Sequence, residues 1–310
     1  MTVPANTRDN FALMAVEKIN CVQAIESRFP GLMDKVKNII QDSENALEGG
    51  DGSMESFLWE HTMHVTSITY RLAQEEGLDP HIPAVAALFH DIGKFTGGRY
   101  HRDEVIEEEE SAQIAERLLP KFGMTKSETR KVLVGLRALY NEKAKKNPVA
   151  ALLHDADFLS KFGALGVASF FTKSTLRRRP LRASVFGYLS KELTYAAFLP
   201  FNMHTNSGRR LAAKKASDSL KFYRSLLNEL REAHIADLRI RKIRIPHPKY
   251  PDQSLEIRYV LPPVCSECGG RWKMDWNTEK DIKCTKLVIE WNCNNCTERL
   301  ETSFCLPEIV

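Results

Sequence analysis

The sequence is poor in the features that would mark a membrane or secreted protein. It has no run of about 18 uncharged apolar residues, the least that crosses a bilayer as a helix, so no membrane span is expected. Its start, MTVPANTRDNF, lacks the basic residues and apolar run of a secretory leader, and a cytoplasmic location is expected. Cysteine is almost missing from the first 264 residues, where Cys21 stands alone, so no disulfide framework is expected there. Internal repeats and low-complexity linkers are absent as well. What remains is an ordinary globular composition, 43% hydrophobic and 27% charged, over 310 residues. That length suits one large and one small domain.

The charge is uneven. The formal net charge is only +4, yet residues 173–249 hold 18 Lys/Arg against 5 Asp/Glu. Such a segment either solvates a surface or meets phosphates. The stretch EVIEEEESAQ, residues 104–113, balances it in part.

Up to about residue 235 the chain reads as helix. MESFLWEHTMHVTSITYRLAQEEG is amphipathic at helical spacing and stops at Gly77. DPHIPAVAALFHDIGK opens on prolines suited to a helix start and closes at Gly93. TKSETRKVLVGLRALYNEK begins with Thr125 and Glu128 in capping-box spacing. NPVAALLHDADFLSKFG runs from Pro148 to Gly163, and three further helical segments follow. The period then changes to the alternation of strands in LRIRKIRI and SLEIRYVL, punctuated by prolines. The expected organisation is mainly α, a helical domain over 1–235 followed by a small β-rich domain over 236–310.

Within the helical part, Phe57, His61, Val65, Ile68 and Leu72 share one stripe, which turns His61 inward. The segment Pro83 to Phe89 carries no polar side chain, then ends in His90 and Asp91. An unpaired buried carboxylate costs several kcal/mol, so Asp91 needs a cation, a donor or water. A divalent metal would satisfy both groups, since imidazole and carboxylate ligate first-row ions. In LLHDADFLSKFG, Asp155 and Asp157 each lie on an apolar stripe, and periodicity does not choose between them.

EHTMHV, ALFHDIGK and HDADFLSKFGALGV, in that order on successive helices, resemble the HD-domain superfamily of metal-dependent phosphohydrolases. The resemblance covers roughly residues 10–235, extending weakly to the helix NSGRRLAAKKASDSLKFYRSLLNEL. It implies a helical bundle with His61, His90, Asp91 and Asp157 as metal ligands, and Asp155 as their neighbour. Dinuclear members carry further histidines; His101 is one candidate here, but GLRALYNEK holds none, so a single divalent ion is expected (Mn, Fe, Co, Ni and Zn are not distinguished). The implied chemistry is hydrolysis of a phosphate ester, a nucleotide or a related phosphorylated compound, by a metal-activated water. Asp91 would hold the ion and accept a proton. Lys94 would neutralise a phosphate oxygen, with His101 and Arg209 as further substrate contacts.

The remaining signal is cysteine. CSECGG and CNNC place Cys265, Cys268, Cys293 and Cys296 in two Cys-x-x-Cys knuckles separated by 24 residues. That spacing suits tetrahedral thiolate coordination of a structural zinc and resembles a zinc ribbon. Cys21, Cys284 and Cys305 are expected in core packing. The basic RIRKIRIPHPK and Trp272, Trp276 and Trp291 allow nucleic-acid contact, although filling a small core is the more economical role for the tryptophans. Two other functions fit less well: a nucleic-acid- or protein-binding module with little catalysis, and an HD-type diiron oxygenase.

Overall fold

The computed structural model describes residues 21–46, 56–95, 107–139, 143–176, 178–247, 251–280 and 285–306. The chain divides into two compact units, residues 1–157 and 158–310. Among the described residues, no helix is long and apolar enough to cross a membrane.

The first unit is helical. Helices α1 (Cys21–Arg28), α2 (Leu32–Asn45), α3 (Phe57–Glu75), α4 (His81–Phe89), α5 (Glu107–Leu118) and α6 (Lys126–Ala138) precede α7 (Pro148–Ser160), within which the division falls. Local sequence explains their ends. Ser56 caps α3 by accepting from the Trp59 amide at 3.0 Å, and Glu44 of α2 receives the Ser56 hydroxyl. Gly77, at φ 72, follows the end of α3 in the left-handed region that glycine enters at no steric cost. The capping box of α6 is complete: Thr125 and Glu128 satisfy each other's backbone amides.

Helix α4 is the centre of this unit. Its residues from Ile82 to Phe89 are all buried, and it packs against α3 and α6. A helix apolar on every face has to be surrounded. Helix α2 was not apparent from the sequence, although Leu32, Val36 and Ile40 form its wholly buried stripe.

The second unit holds α8 (Gly163–Leu176), α9 (Leu181–Phe198), α10 (Asn206–Glu232) and five strands: β1 (Arg239–Pro246), β2 (Ser254–Leu261), β3 (Trp272–Lys280), β4 (Thr285–Cys293) and β5 (Arg299–Cys305). The hairpin β1–β2 and the sheet β3–β4–β5 are both antiparallel. One face of the hairpin puts Ile245, Leu255, Ile257 and Tyr259 into a core with Leu287, Ile289, Trp291 and Phe304 of the three-stranded sheet. On the other face, Val260 and Ile240 join Leu189 and Leu193 of α9 and Tyr223 of α10. The hairpin is a middle layer. Thr194 accepts from the Arg258 amide at 3.0 Å, and Tyr195 donates to the Cys305 carbonyl at 2.6 Å. The change of period near Ile235 therefore marks where helix gives way to strand, while compactness groups those strands with α8, α9 and α10.

The expectation for Cys305 is corrected. It is disulfide-bonded rather than a packed thiol. Cys284 lies outside the described residues. Cys21 is buried, with its sulfur 3.1 Å from the Ser67 hydroxyl.

Candidate metal centre

His61, His90, Asp91 and Asp157 reach a common point from three elements: α3, the turn that ends α4, and α7. His61 Nε2 lies 3.3 Å from Asp157 Oδ1 and 3.6 Å from Asp91 Oδ2. His90 Nε2 lies 3.6 Å from the same Asp91 oxygen. Ligand atoms of His61, His90 and Asp157 all fall within 4.8 Å of one another. The two imidazoles are neighbours, with ring centroids 5.4 Å apart and planes tilted by 57°. Between the two aspartates that periodicity left open, the geometry separates clearly: Asp157 meets His61, whereas Asp155 turns its Oδ1 to His154 Nδ1, 3.1 Å away.

Local hydrogen bonds set the chemistry of each ligand. His90 Nδ1 donates to the Ala87 carbonyl at 2.7 Å, because a carbonyl can only accept. In the neutral ring this leaves the Nε2 lone pair free. Nε2 is buried and makes no hydrogen bond, Asp91 being too distant for one. Burial pushes the His61 imidazole below its ordinary value, against the opposing pull of Asp157 and Asp91. Burial alone would raise the Asp91 carboxyl, but the positive charge that His90, Lys94 and His61 carry when protonated outweighs it and holds it below the usual carboxylate range; with both imidazoles neutral, Lys94 is the cation that remains beside it. A neutral imidazole and an ionised carboxylate are the protonation states that ligation needs. An unbonded buried imidazole nitrogen beside two buried carboxylates fits a divalent cation, and N/O donors of this kind suit first-row ions.

The turn after α4 is held from behind. Gly93 donates its amide to Ser111 Oγ of α5 at 3.1 Å, and that hydroxyl donates to the His90 carbonyl at 3.0 Å. A Cβ on Gly93 would stand 2.9 Å from the Ser111 nitrogen and 3.0 Å from the Glu107 carbonyl oxygen. Glycine is required by this close approach of α5, and not by a positive φ. The sequence pointed to a sharp turn at Gly93 and gave no sign of Ser111, which lies 18 residues on.

Among the other expected site residues, Lys94 donates to Asp91 Oδ2 at 2.9 Å. His101 lies outside the described residues. Arg209 belongs to the second unit, where it is exposed and donates to Asn206 Oδ1 at 3.0 Å.

The four knuckle cysteines also converge, in the second unit. Cys265 and Cys296 sulfurs are 3.7 Å apart, and those of Cys268 and Cys293 are 3.4 Å apart. A tetrahedron with Zn–S bonds of about 2.3 Å has edges of about 3.8 Å, so the cluster has the size zinc demands. The Asn295 amide donates to Cys293 Sγ at 3.4 Å, the leading cause of a thiol lowered to about 7. Gly269 takes φ 70, and a Cβ on Gly270 would meet Cys293 Sγ at 2.7 Å. Of the three tryptophans, Trp291 is buried, Trp272 is half-buried against the same core and Trp276 is exposed. Part of the basic charge of the strands is paired: Lys242 and Arg258 share Glu256 at 3.0 and 3.1 Å, and Arg239 pairs with Asp237 at 3.0 Å.

A helical unit that closes two imidazoles and two carboxylates around one point defines a metal-binding domain. Residues 58–157 match the family model of the HD domain. Solved structures similar to the chain include a predicted HD superfamily hydrolase from an uncultured Thermotogales bacterium, 22% identical, covering 67% of this chain and 98% of its own at a TM-score of 0.45. YpgQ of Bacillus subtilis, solved in complex with ADP, is 20% identical over 64% of this chain and 94% of its own, with a TM-score of 0.45. An HD-superfamily hydrolase from Bacillus thuringiensis is 22% identical over 64% of this chain and 97% of its own, with a TM-score of 0.44. No curated protein matches the chain.

Proposed function

We propose that the protein is a metal-dependent phosphohydrolase acting on a phosphate ester, a nucleotide or a related small molecule. One observation carries the reading: the buried Nε2 of His90 has no hydrogen bond and sits beside His61, Asp91 and Asp157. Those four residues would hold one divalent ion. When bound, such an ion supplies Lewis acidity toward a phosphoryl oxygen and lowers the pKa of water to near neutrality.

The chain's own groups have separate tasks in this scheme. Asp91, ionised at all physiological pH values, is a ligand first; its depressed pKa makes it a weak base, so proton acceptance is the lesser part of its role. Lys94 balances the Asp91 charge at 2.9 Å and contributes positive charge where phosphate would bind. His61, kept neutral by burial, offers its Nε2 lone pair. Apolar α4 excludes water from behind the turn, which strengthens every charge interaction there. His101 is proposed as a further substrate contact. The division of labour we propose puts this chemistry before residue 235, with a structural zinc held by the four cysteines beyond it.

The test is metal analysis of unchelated protein, followed by a screen of phosphomonoesters and nucleotides with that metal supplied. A first-row ion in addition to one zinc, and turnover lost in Asp91→Ala, are expected. Unchanged turnover in Asp91→Ala would sink the mechanism.

A further inference from the structure

We infer that Ser111 is a positioning residue for the metal centre: its hydroxyl clamps the His90–Gly93 turn so that the His90 and Asp91 side chains present their ligand atoms together. The inference rests on the metal-dependent reading given above. Ser111 is wholly buried and lies on the second turn of α5, directly after four glutamates. Both hydrogen bonds of its hydroxyl run to backbone atoms. It accepts from the Gly93 amide at 3.1 Å and donates to the His90 carbonyl at 3.0 Å, bridging the two ends of the turn that contains Asp91.

The need for such a bridge follows from where α4 stops. His90 caps a nine-residue helix, and the carbonyls of a helix's last turn have no partner within it. In this unit they are surrounded by buried residues, so water does not serve them readily. The Lys94 amide takes the Asp91 carbonyl at 3.0 Å, and Ser111 takes the His90 carbonyl. Both peptide groups flanking Asp91 are thereby fixed. The close packing of Gly93 on the Ser111 nitrogen means the turn cannot drift toward α5 to recover a lost bond. Without the hydroxyl, the Gly93 amide and the His90 carbonyl are left to seek partners elsewhere, and the turn has freedom to rotate. The ligands most affected are His90, held otherwise through Ala87, and Asp91, held through Lys94.

The experiment uses full-length protein with zinc retained in the cysteine cluster and Mn(II) as the probe, followed by electron paramagnetic resonance. This reads both affinity and the symmetry of the ligand field, and neither is moved by a purely structural loss in protein that is still folded. Ser111→Ala is expected to weaken Mn(II) binding by about 10–100-fold, as loss of groups supporting metal ligands does, and to broaden the spectrum while circular dichroism is unchanged. Should Ser111→Ala fail to fold, Ser111→Cys keeps the shape with a weak donor and acceptor, and the same direction of change is expected. Wild-type affinity and spectrum in a folded variant of either kind overturns the clamp while leaving the metal centre standing. Wild-type protein that takes up no Mn(II) overturns the metal reading itself, and the clamp with it.

Discussion

His61 Nε2 stands 3.3 Å from Asp157 Oδ1, joining α3 to α7 at the atoms a metal would share. Asp157 is 2% exposed and its partner imidazole is kept neutral by burial, so the pair is a weak substitute for a cation. Asp157→Asn keeps the volume and removes the charge. It should lower Mn(II) or Fe(II) affinity by more than about 100-fold, beyond what supporting groups contribute, with the thermal midpoint of the metal-free protein unchanged or raised. Metal content after dialysis, together with a melt in chelator, checks both halves.

The same imidazole makes acid sensitivity testable. His61 has a folded-state pKa below its unfolded value of about 6.5, so below that pH the unfolded chain binds the extra proton first. Stability therefore falls as pH drops below about 6.5, until the folded-state pKa is passed. Urea unfolding of the metal-free protein between pH 5 and 8 should show this slope, and His61→Gln should flatten part of it. A carboxylate supplies the same sign in a lower pH window. For Asp79, burial is outweighed by hydrogen bonds from His81 and Arg28, which lower it to about 2. Its contribution is present above its unfolded value of about 3.9 and fades as pH falls toward 2. The side chain is 53% exposed, so Asp79→Asn should change the acid limb only slightly.

Two glycines separate packing from propensity. Gly93→Ala forces a Cβ to 2.9 Å from the Ser111 backbone nitrogen, which has no flexible end to yield. A cost of about 1–3 kcal/mol, typical of overpacking, is expected, together with weaker metal binding. Gly187 lies exposed inside α9 with nothing within 4 Å of the added carbon. Gly187→Ala should stabilise by about 0.5–1 kcal/mol through helix propensity. Denaturant midpoints of the two variants should move in opposite directions.

Zinc removal should act elsewhere. Cys265→Ser, or exhaustive chelation at mildly acid pH, is expected to release one zinc and loosen the β3–β4–β5 sheet, because a module this small depends on its metal. Trp291, 3% exposed in that core, reports the change through a red-shifted fluorescence maximum. Mn(II) uptake by the HD segment should persist in Cys265→Ser, since none of its proposed ligands lies in the cysteine module.

Short-range chemistry was legible without coordinates. The capping box at Thr125, the apolar run ending in His90 and Asp91, the paired knuckles and the alternation of the strands each declare themselves within a few residues, because caps, periodicity and metal knuckles are local. Helix α2 escaped notice because its buried stripe of Leu32, Val36 and Ile40 is interrupted by charge. Periodicity could not choose between Asp155 and Asp157, since both lie on apolar stripes of a helix buried nearly all round; the resemblance implied Asp157, and the tertiary structure turns Asp157 to His61 and Asp155 to His154. Tertiary structure alone joined Ser111 to the turn of His90, and set Glu256 between Lys242 and Arg258. Periodicity states which way a side chain points along its own element; the atom it meets is fixed only when another element arrives.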